Sequence, residues 1–289
     1  MKGTGCQPVP FAAIVRFVSN RNSIRIMIRR ILAVMFLAGV SPAMAATFTF
    51  SNTNAIIIND STNPPTVATP YPSTNLVSGI TGSYVTKVTV QIFGFAHTFP
   101  ADVDIVLVGP AGQNAILMGN VGTENLPQPA TNINLTLDDD AASSMPLDTD
   151  LVSGTFKPTQ RNAFQFDFPA PAPANTNLMG PFLANFKNVN PNGTWRLYVV
   201  DDTSPDSGVI TGGWSLTFTT APVLLSILKS GTNAILSWTN AAAGYTLQAS
   251  PSLKPAAWTN VSPGPVVISG NYTVTNAVTN VSTFYRLAQ

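Results

Sequence analysis

One stretch in the second half of the chain limits the fold more than any other: residues 190–218, which read NPNGTWRLYVVDDTSPDSGVITGGWSLTF. In residues 195–199 and again in residues 214–218, apolar side chains occupy every second position. This alternation among β-branched and aromatic residues predicts two strands, each with one buried face. A turn-forming run with three carboxylates, residues 201–208, separates them. The stretch therefore predicts a sheet anchored by two tryptophans, with an acidic loop at its end.

From Thr47 onward, short apolar runs alternate with Gly, Pro, Asn, Ser and Thr, and no run keeps a helical period of 3.6 residues. This pattern predicts an all-β fold, a jelly-roll β-sandwich. The predicted strands are 48–50, 55–58, 85–95, 103–108, 115–118, 133–137, 163–168, 195–200 and 214–218. The proline-rich run 169–173 is expected to form an exposed loop, because proline cannot join the interior of a ladder. Phe182, Leu183 and Phe186 are expected to cap the core.

A change in charge divides the chain near Ala221 and Pro222. All 13 acidic residues lie between Asp60 and Asp206, whereas residues 221–289 contain three basic residues and no acid. We expect two modules, a jelly roll over 47–220 and a small fibronectin-like β-sandwich over 221–289. Short strands are predicted in the second module at 234–238, 245–249, 266–269, 272–275 and 284–287, with Trp238 and Trp258 in its core.

The first 46 residues have the pattern of a secretory signal peptide. Basic residues precede an apolar run over 31–40, and the small-x-small sequence Ala43-Met44-Ala45 follows it. The apolar run is too short to cross a membrane. We expect cleavage after Ala45 or Ala46 and a product that is secreted or held at the cell surface. A start at Met27 would give a leader of ordinary length.

Removal of this leader changes the charge and the cysteine content. Six of the 14 basic residues lie within it, which leaves eight against 13 acidic ones, a net charge of −5. Such a chain is not expected to bind nucleic acid, which requires clustered Lys and Arg. The single cysteine, Cys6, is also lost, so neither disulfides nor cysteine-ligated metals are expected.

Aspartates in three clusters are the strongest candidates for a binding site. Twelve of the 13 acids are Asp, and few lysines or arginines stand near them. Ca²⁺ prefers six to eight oxygen ligands from short carboxylates, carbonyls and water. The expected ligands of Ca²⁺ are Asp102, Asp104, Asp138, Asp139, Asp140, Asp201, Asp202 and Asp206. The alternative is that these residues only bond local backbone amides, as aspartates do at turns and strand ends.

His97, the only histidine, is the one candidate general base. We expect it to be a hydrogen-bonded structural residue, since no serine is placed by the sequence as its nucleophile and no Gly-x-Ser-x-Gly motif occurs. A zinc hydrolase would need several histidines. Glycosidase chemistry by paired carboxylates stays open on residue type alone. No catalytic residue is therefore assigned.

A series of motifs in order along the first module resembles the P domain (P/Homo B) of kexin-like proprotein convertases and bacterial subtilisin-like proteases. The matching segments are 97–99 (HTF), 102–107 (DVDIVL), 109–112 (GPAG), 138–141 (DDDA), 154–158 (GTFKP), 192–195 (NGTW), Asp201, Gly208 and 213–216 (GWSL). The resemblance spans residues 48–219. It departs from the family at Ala101, where the family usually has Gly. The C-terminal module also resembles one appended to many secreted bacterial proteins.

The resemblance implies a jelly roll that in the family packs beside a serine-protease domain and stabilises it, in some members with bound calcium. Because the predicted leader runs straight into the module, the family's proteolysis is not expected here. Our leading hypothesis is a secreted, non-catalytic binding or stabilising protein. The alternatives are an accessory part of a serine endopeptidase system, or a calcium-dependent adhesin that binds surface glycans through Tyr198 or other exposed aromatic residues.

Overall fold

The computed structural model describes residues 45–123, 128–161, 168–242, 244–278 and 282–289. Most of the predicted leader and most of the predicted strand 163–168 lie outside these ranges. In the described part, regular structure is almost entirely β-strand, and helix is limited to the short 3-10 turns Pro100–Asp102, Asn175–Asn177 and Leu183–Phe186. The prediction of an all-β sandwich is confirmed. None of the described residues forms a helix long and apolar enough to cross a membrane.

The chain divides into two compact units, the larger of which comprises residues 45–80 and 85–220. Its strands are β1 (Ala46–Asn52), β2 (Ile56–Ile58), β3 (Thr66–Val67), β4 (Ser73–Val77), β5 (Ser83–His97), β6 (Val103–Val108), β7 (Asn114–Gly119), β8 (Ala130–Leu137), β9 (Gly154–Phe156), β10 (Thr159–Gln160), β11 (Gly193–Asp201), β12 (Gly208–Ile210) and β13 (Trp214–Pro222). Two sheets contain them. The first has the order β1-β13-β5-β12-β2, with β8 attached to β5 and β9 attached to β8, and the second has the order β10-β7-β6-β11-β3, with β4 attached to β11.

Apolar side chains from both sheets fill the space between them. Trp195 on β11 and Phe218 on β13 meet at 5.2 Å between ring centroids, and Phe186 packs edge-on against Trp195 at 4.8 Å. Both tryptophans of this unit, Trp195 and Trp214, are fully buried. Their indole N–H groups are satisfied by the Pro191 carbonyl and the Ser73 hydroxyl. The alternation seen in the sequence therefore does mark the inward faces of these strands.

The strand β11 differs from the sequence expectation of one buried face. Tyr198, on its outer face, is buried with Val106, Val108, Val200 and other residues in a second apolar cluster. The cause is the segment 168–178, which lies over this face: the Tyr198 hydroxyl donates to the carbonyl of Pro171, and the Tyr71 hydroxyl donates to that of Pro169. The expectation that Tyr198 is exposed is therefore wrong.

Short strands and one capping residue also differ from the expectation. The strands β3, β9, β10 and β12, each two or three residues long, carry too little apolar pattern to be recognised. Leu183 and Phe186 cap the core as expected, but Phe182 is 57% exposed. The 3-10 turn Leu183–Phe186 explains the difference, because it directs Leu183 and Phe186 inward and leaves the preceding residue outside.

The smaller unit comprises residues 81–84 and 221–289. Its strands are β14 (Ser226–Ser230), β15 (Asn233–Thr239), β16 (Thr246–Ser250), β17 (Thr259–Asn260), β18 (Val266–Ile268), β19 (Asn271–Ala277) and β20 (Phe284–Ala288). They form two sheets with the orders β14-β15-β19-β18 and β17-β16-β20. Trp238 is buried in the core as expected. Trp258 instead lies under the guanidinium of Arg286, 4.5 Å from the ring centroid.

Candidate functional site

The predicted carboxylates separate into two groups near opposite ends of β5. Asp138 and Asp140 contact Lys87 near the beginning of this strand, whereas Asp201 contacts His97 at its end. Ten residues of strand at roughly 3.3 Å each put about 30 Å between the two groups. One metal ion cannot bind both, so the eight predicted ligands do not form a single site.

The first group, Asp138, Asp139 and Asp140, already has partners. The Lys87 ammonium lies 2.8 Å from a carboxylate oxygen of both Asp138 and Asp140. Hydrogen bonds to these two carboxylates raise the pKa of Lys87, and its ammonium lowers the pKa of Asp140. Asp139 accepts the backbone amides of Leu183 and Ala184 at 2.9 and 2.7 Å. These contacts match the alternative reading, in which aspartates bond local groups.

Asp139 should therefore contribute to stability through hydrogen bonds. We expect Asp139→Ala to lower the free energy of unfolding by about 1–3 kcal/mol, because the amides of Leu183 and Ala184 lose a charged acceptor. Urea denaturation in EDTA and in excess calcium measures the loss. An equal loss under both conditions is expected. A loss seen only with calcium would show instead that Asp139 binds the ion.

At the other end of β5, His97 and Asp201 form a buried pair that connects the two sheets. The His97 Nε2 lies 3.0 Å from the Asp201 Oδ2, and both side chains are fully buried. The other carboxylate oxygen of Asp201 accepts the Thr203 amide at 3.2 Å. Gly208 on β12 faces this pair, and a Cβ there would overlap the Ala96 carbonyl and the His97 ring. The glycine thus permits the close approach of β12 to the buried histidine.

Both ring nitrogens of His97 are engaged. While Nε2 faces Asp201, Nδ1 lies 2.8 Å from the Phe99 carbonyl oxygen and 3.2 Å from the Phe99 amide nitrogen. Nδ1 can donate to the carbonyl when it is protonated or accept from the amide when it is not. A general base needs a nitrogen that reaches a substrate. The burial and the bonding of His97 favour the structural role expected from the sequence.

Asp104 has a different environment on the outer face of the second sheet. It lies in β6 opposite Val200 of β11, and alternation along β6 puts it on the same face as Val106 and Val108. The residue is fully buried, and neither carboxylate oxygen has a hydrogen bond of normal geometry. Such an atom costs free energy unless a water, an ion or a proton satisfies it.

The charges of two nearby carboxylates, Asp102 and Asp202, act on Asp104. Desolvation, followed by the charges of Asp201 and Asp202, raises the pKa of Asp102 to about 7. Desolvation, followed by the charge of Asp202, raises the pKa of Asp104 well above its ordinary value. The Asn120 backbone amide opposes this rise, and the charges of Asp102 and Asp201 add to it by smaller amounts. Asp202 is also shifted upward, mainly by desolvation. Three acids are thus held together in conditions that disfavour their charged forms.

Asn120, just after β7, completes this cluster, and the sequence had not indicated it. Its amide group donates to the Ala101 carbonyl at 2.9 Å and to the Asp202 carboxylate at 3.3 Å. Arg161 approaches the same residue, but its guanidinium binds the backbone carbonyls of Asn120 and Gly122 and the Asp148 carboxylate. An asparagine directly after an apolar strand was the available signal. We name Asp102, Asp104, Asp202 and Asn120 the Asp104 cluster.

The remaining predicted ligands have partners of their own. Asp206 accepts a hydrogen bond from the Thr98 hydroxyl at 2.5 Å, and the two carboxylate oxygens of Asp201 contact His97 and the Thr203 amide. In the described residues, no group of three or more His, Cys, Asp or Glu side chains is arranged as a ready-made metal site. Any cation in this unit would therefore have to bind the unsatisfied oxygens of Asp104 together with oxygen atoms of neighbouring residues. Oxygen ligands of this kind are those that Ca²⁺ prefers.

The chain was compared with family models, with curated proteins and with solved structures, and none of the three comparisons finds a match.

Proposed function

We propose that this chain is a secreted, non-catalytic binding or stabilising protein whose larger β-sandwich is stabilised by calcium. The observation that carries the proposal is the Asp104 cluster, in which buried and half-buried carboxylates gather and no lysine or arginine of the described residues pairs with them. Uncompensated buried charge destabilises a fold. A divalent ion supplies the missing charge, and it stabilises the state that binds it by mass action.

The non-catalytic part of the proposal depends on His97. Its two nitrogens are engaged by Asp201 and Phe99, and its side chain is shielded from solvent. Activity as a general base would require both contacts to break. The runner-up, an accessory part of a serine endopeptidase system, uses the same sandwich as a stabilising partner for an enzyme on another chain. The motifs that resemble the P/Homo B domain support this runner-up.

The proposed partner is a protein or a surface glycan outside the cell. Loops on a rigid β scaffold commonly carry recognition, and the run 202–207, beside the Asp104 cluster, is the proposed contact surface. Glycan binding through Tyr198 is not part of the proposal, because that ring is buried under the segment 168–178. The leader-like first 46 residues support secretion.

Calcium should therefore raise the melting temperature of the purified secreted chain. At a calcium concentration about 100 times the dissociation constant, we expect a gain of about 2.7 kcal/mol and a shift of about 5–10 °C relative to EDTA. Differential scanning calorimetry measures it, with magnesium at the same concentration as the control. An unchanged melt would contradict the calcium part of the proposal, and peptide hydrolysis by the purified wild-type chain would contradict the non-catalytic part.

A further inference from the structure

We propose that Asp104 is the central ligand of one calcium site that holds the loop 202–207 against β6 and β7. The inference rests on the proposed function and adds to it the location of the ion and the segment that the ion controls. It excludes the carboxylates near Lys87, which have partners. It also separates the ion from the His97–Asp201 pair, which lies between the sheets.

Asp104 points to an ion more directly than any other carboxylate of the described chain. A buried aspartate normally accepts well-formed hydrogen bonds or pairs with a base. Asp104 is fully buried, yet it has no base beside it in the described residues and no hydrogen bond of normal geometry, although the Asn120 backbone amide is near enough to act on it. It is also the one charged residue of the otherwise apolar strand β6, and the segment that pairs with the start of this strand leads directly into Asp202. Two unsatisfied oxygens, with two further carboxylates near enough for their charges to act on Asp104, provide the negative charge that a divalent cation requires.

The neighbours of Asp104 supply the rest of the oxygen ligands. The side chain of Asp102 accepts no hydrogen bond from the described residues, and Asp202 keeps lone pairs beyond those used by Asn120 and Thr203. The carboxamide oxygen of Asn120 is a fourth candidate. Three carboxylates and an amide oxygen, with water, suit the flexible coordination of Ca²⁺ better than the strict octahedron of Mg²⁺.

The position of these ligands explains why the ion would control a loop. Asp102 and Asp104 flank the beginning of β6, Asn120 follows β7, and Asp202 opens the loop 202–207. The Asp202 amide already donates to the Asp102 carbonyl at 2.8 Å, so the two segments are in contact. An ion shared by all four residues would fix the beginning of the loop to the sheet beneath it.

The test compares the secreted chain with Asp104→Asn and with the control Asp140→Asn, whose aspartate pairs with Lys87. Equilibrium dialysis against calcium chloride should give one ion per chain for the wild type and for the control, and none for Asp104→Asn. Hydrogen exchange of the amides of residues 202 and 203 should slow on calcium addition in the first two proteins only. In EDTA, Asp104→Asn should melt at or above the wild-type temperature, because the substitution replaces a buried carboxyl group, whose ionised form is disfavoured there, with a neutral amide of similar size.

Four other outcomes would overturn the inference, and each identifies which part of it is wrong. If Asp104→Asn keeps calcium binding and protection of the loop, the site is elsewhere, while calcium stabilisation of the protein stands. If the wild type binds no calcium, this inference fails together with the calcium part of the proposed function. If Asp104→Asn is unfolded in EDTA, Asp104 is not an unpaired charge. Equal effects of magnesium would overturn the assignment to calcium.

Discussion

Replacement of His97 by alanine should destabilise the larger unit by about 3–5 kcal/mol, one of the two largest effects that we expect. The substitution leaves the Asp201 Oδ2 buried between the sheets without its partner at 3.0 Å. It also frees the backbone of Phe99 from its contact with the ring and opens a cavity beside Gly208. Removing one member of a buried pair costs more than removing both, since an uncompensated charge remains.

Urea denaturation of the secreted chain measures this loss, and two variants define its cause. His97→Gln offers an amide N–H to Asp201, so it should recover part of the stability. Thr98→Ala removes a neighbouring contact to Asp206 that is exposed, so it should cost less than about 1 kcal/mol. If His97→Ala is as stable as the wild type, the histidine is not the structural link between the sheets that we describe.

The sequence predicted the long strands of the larger unit because their apolar residues alternate. The predicted strand 103–108 has the bounds of β6, and 85–95 lies within β5. The alternation could not predict whether another segment of the chain packs on the outer face of a strand. Tyr198 was expected on a solvent face, but the segment 168–178 buries it through contacts almost 30 residues away in sequence. Burial by a segment distant in sequence does not change the apolar periodicity of the strand itself, so the sequence pattern does not show it.

The sequence predicted which type of residue forms the candidate site, but it did not predict which of the aspartates lie together. Asp102 and Asp104 were expected to share a face because they are two residues apart at the start of a strand. Asp102 instead ends the 3-10 turn Pro100–Asp102 that precedes β6, so strand alternation does not apply to it. The sequence did not distinguish Asp104 from Asp140. One is buried without a partner and the other is exposed beside Lys87, a difference that depends on which strands pair. An aspartate within the apolar run of β6 was the only local sign.

In EDTA, the stability of the protein should fall as the pH rises from about 4 to about 7, the second large effect that we expect. The pKa of Asp102 is raised from 3.8 to about 7 in the fold, so the folded state binds more protons than the unfolded state within this window. Stability then decreases with pH, by up to about 4 kcal/mol for a shift of about three pH units. The raised pKa values of Asp104 and Asp202 act in the same direction.

Saturating calcium should oppose this fall. The ion binds the ionised carboxylates, so its contribution grows over the pH range in which Asp102, Asp104 and Asp202 lose their protons. We therefore expect urea midpoints measured between about pH 5 and pH 8 to decrease in EDTA and to stay level or rise with calcium. Asp140→Asn, the variant at the Lys87 end, should behave like the wild type in both series.

The other charges near the cluster do not reverse this sign. Asp201 and Asp206 add negative charge that further favours protonation of Asp102, and the opposing charge of His97 is the smallest of the causes that act on its pKa. The Arg161 guanidinium is bound to the carbonyls of Asn120 and Gly122 and to Asp148. A midpoint that rises with pH in EDTA would mean that these carboxylates are already paired, and the case for an ion at Asp104 would then fail. Parallel decreases with and without calcium would instead show that protons alone neutralise the cluster.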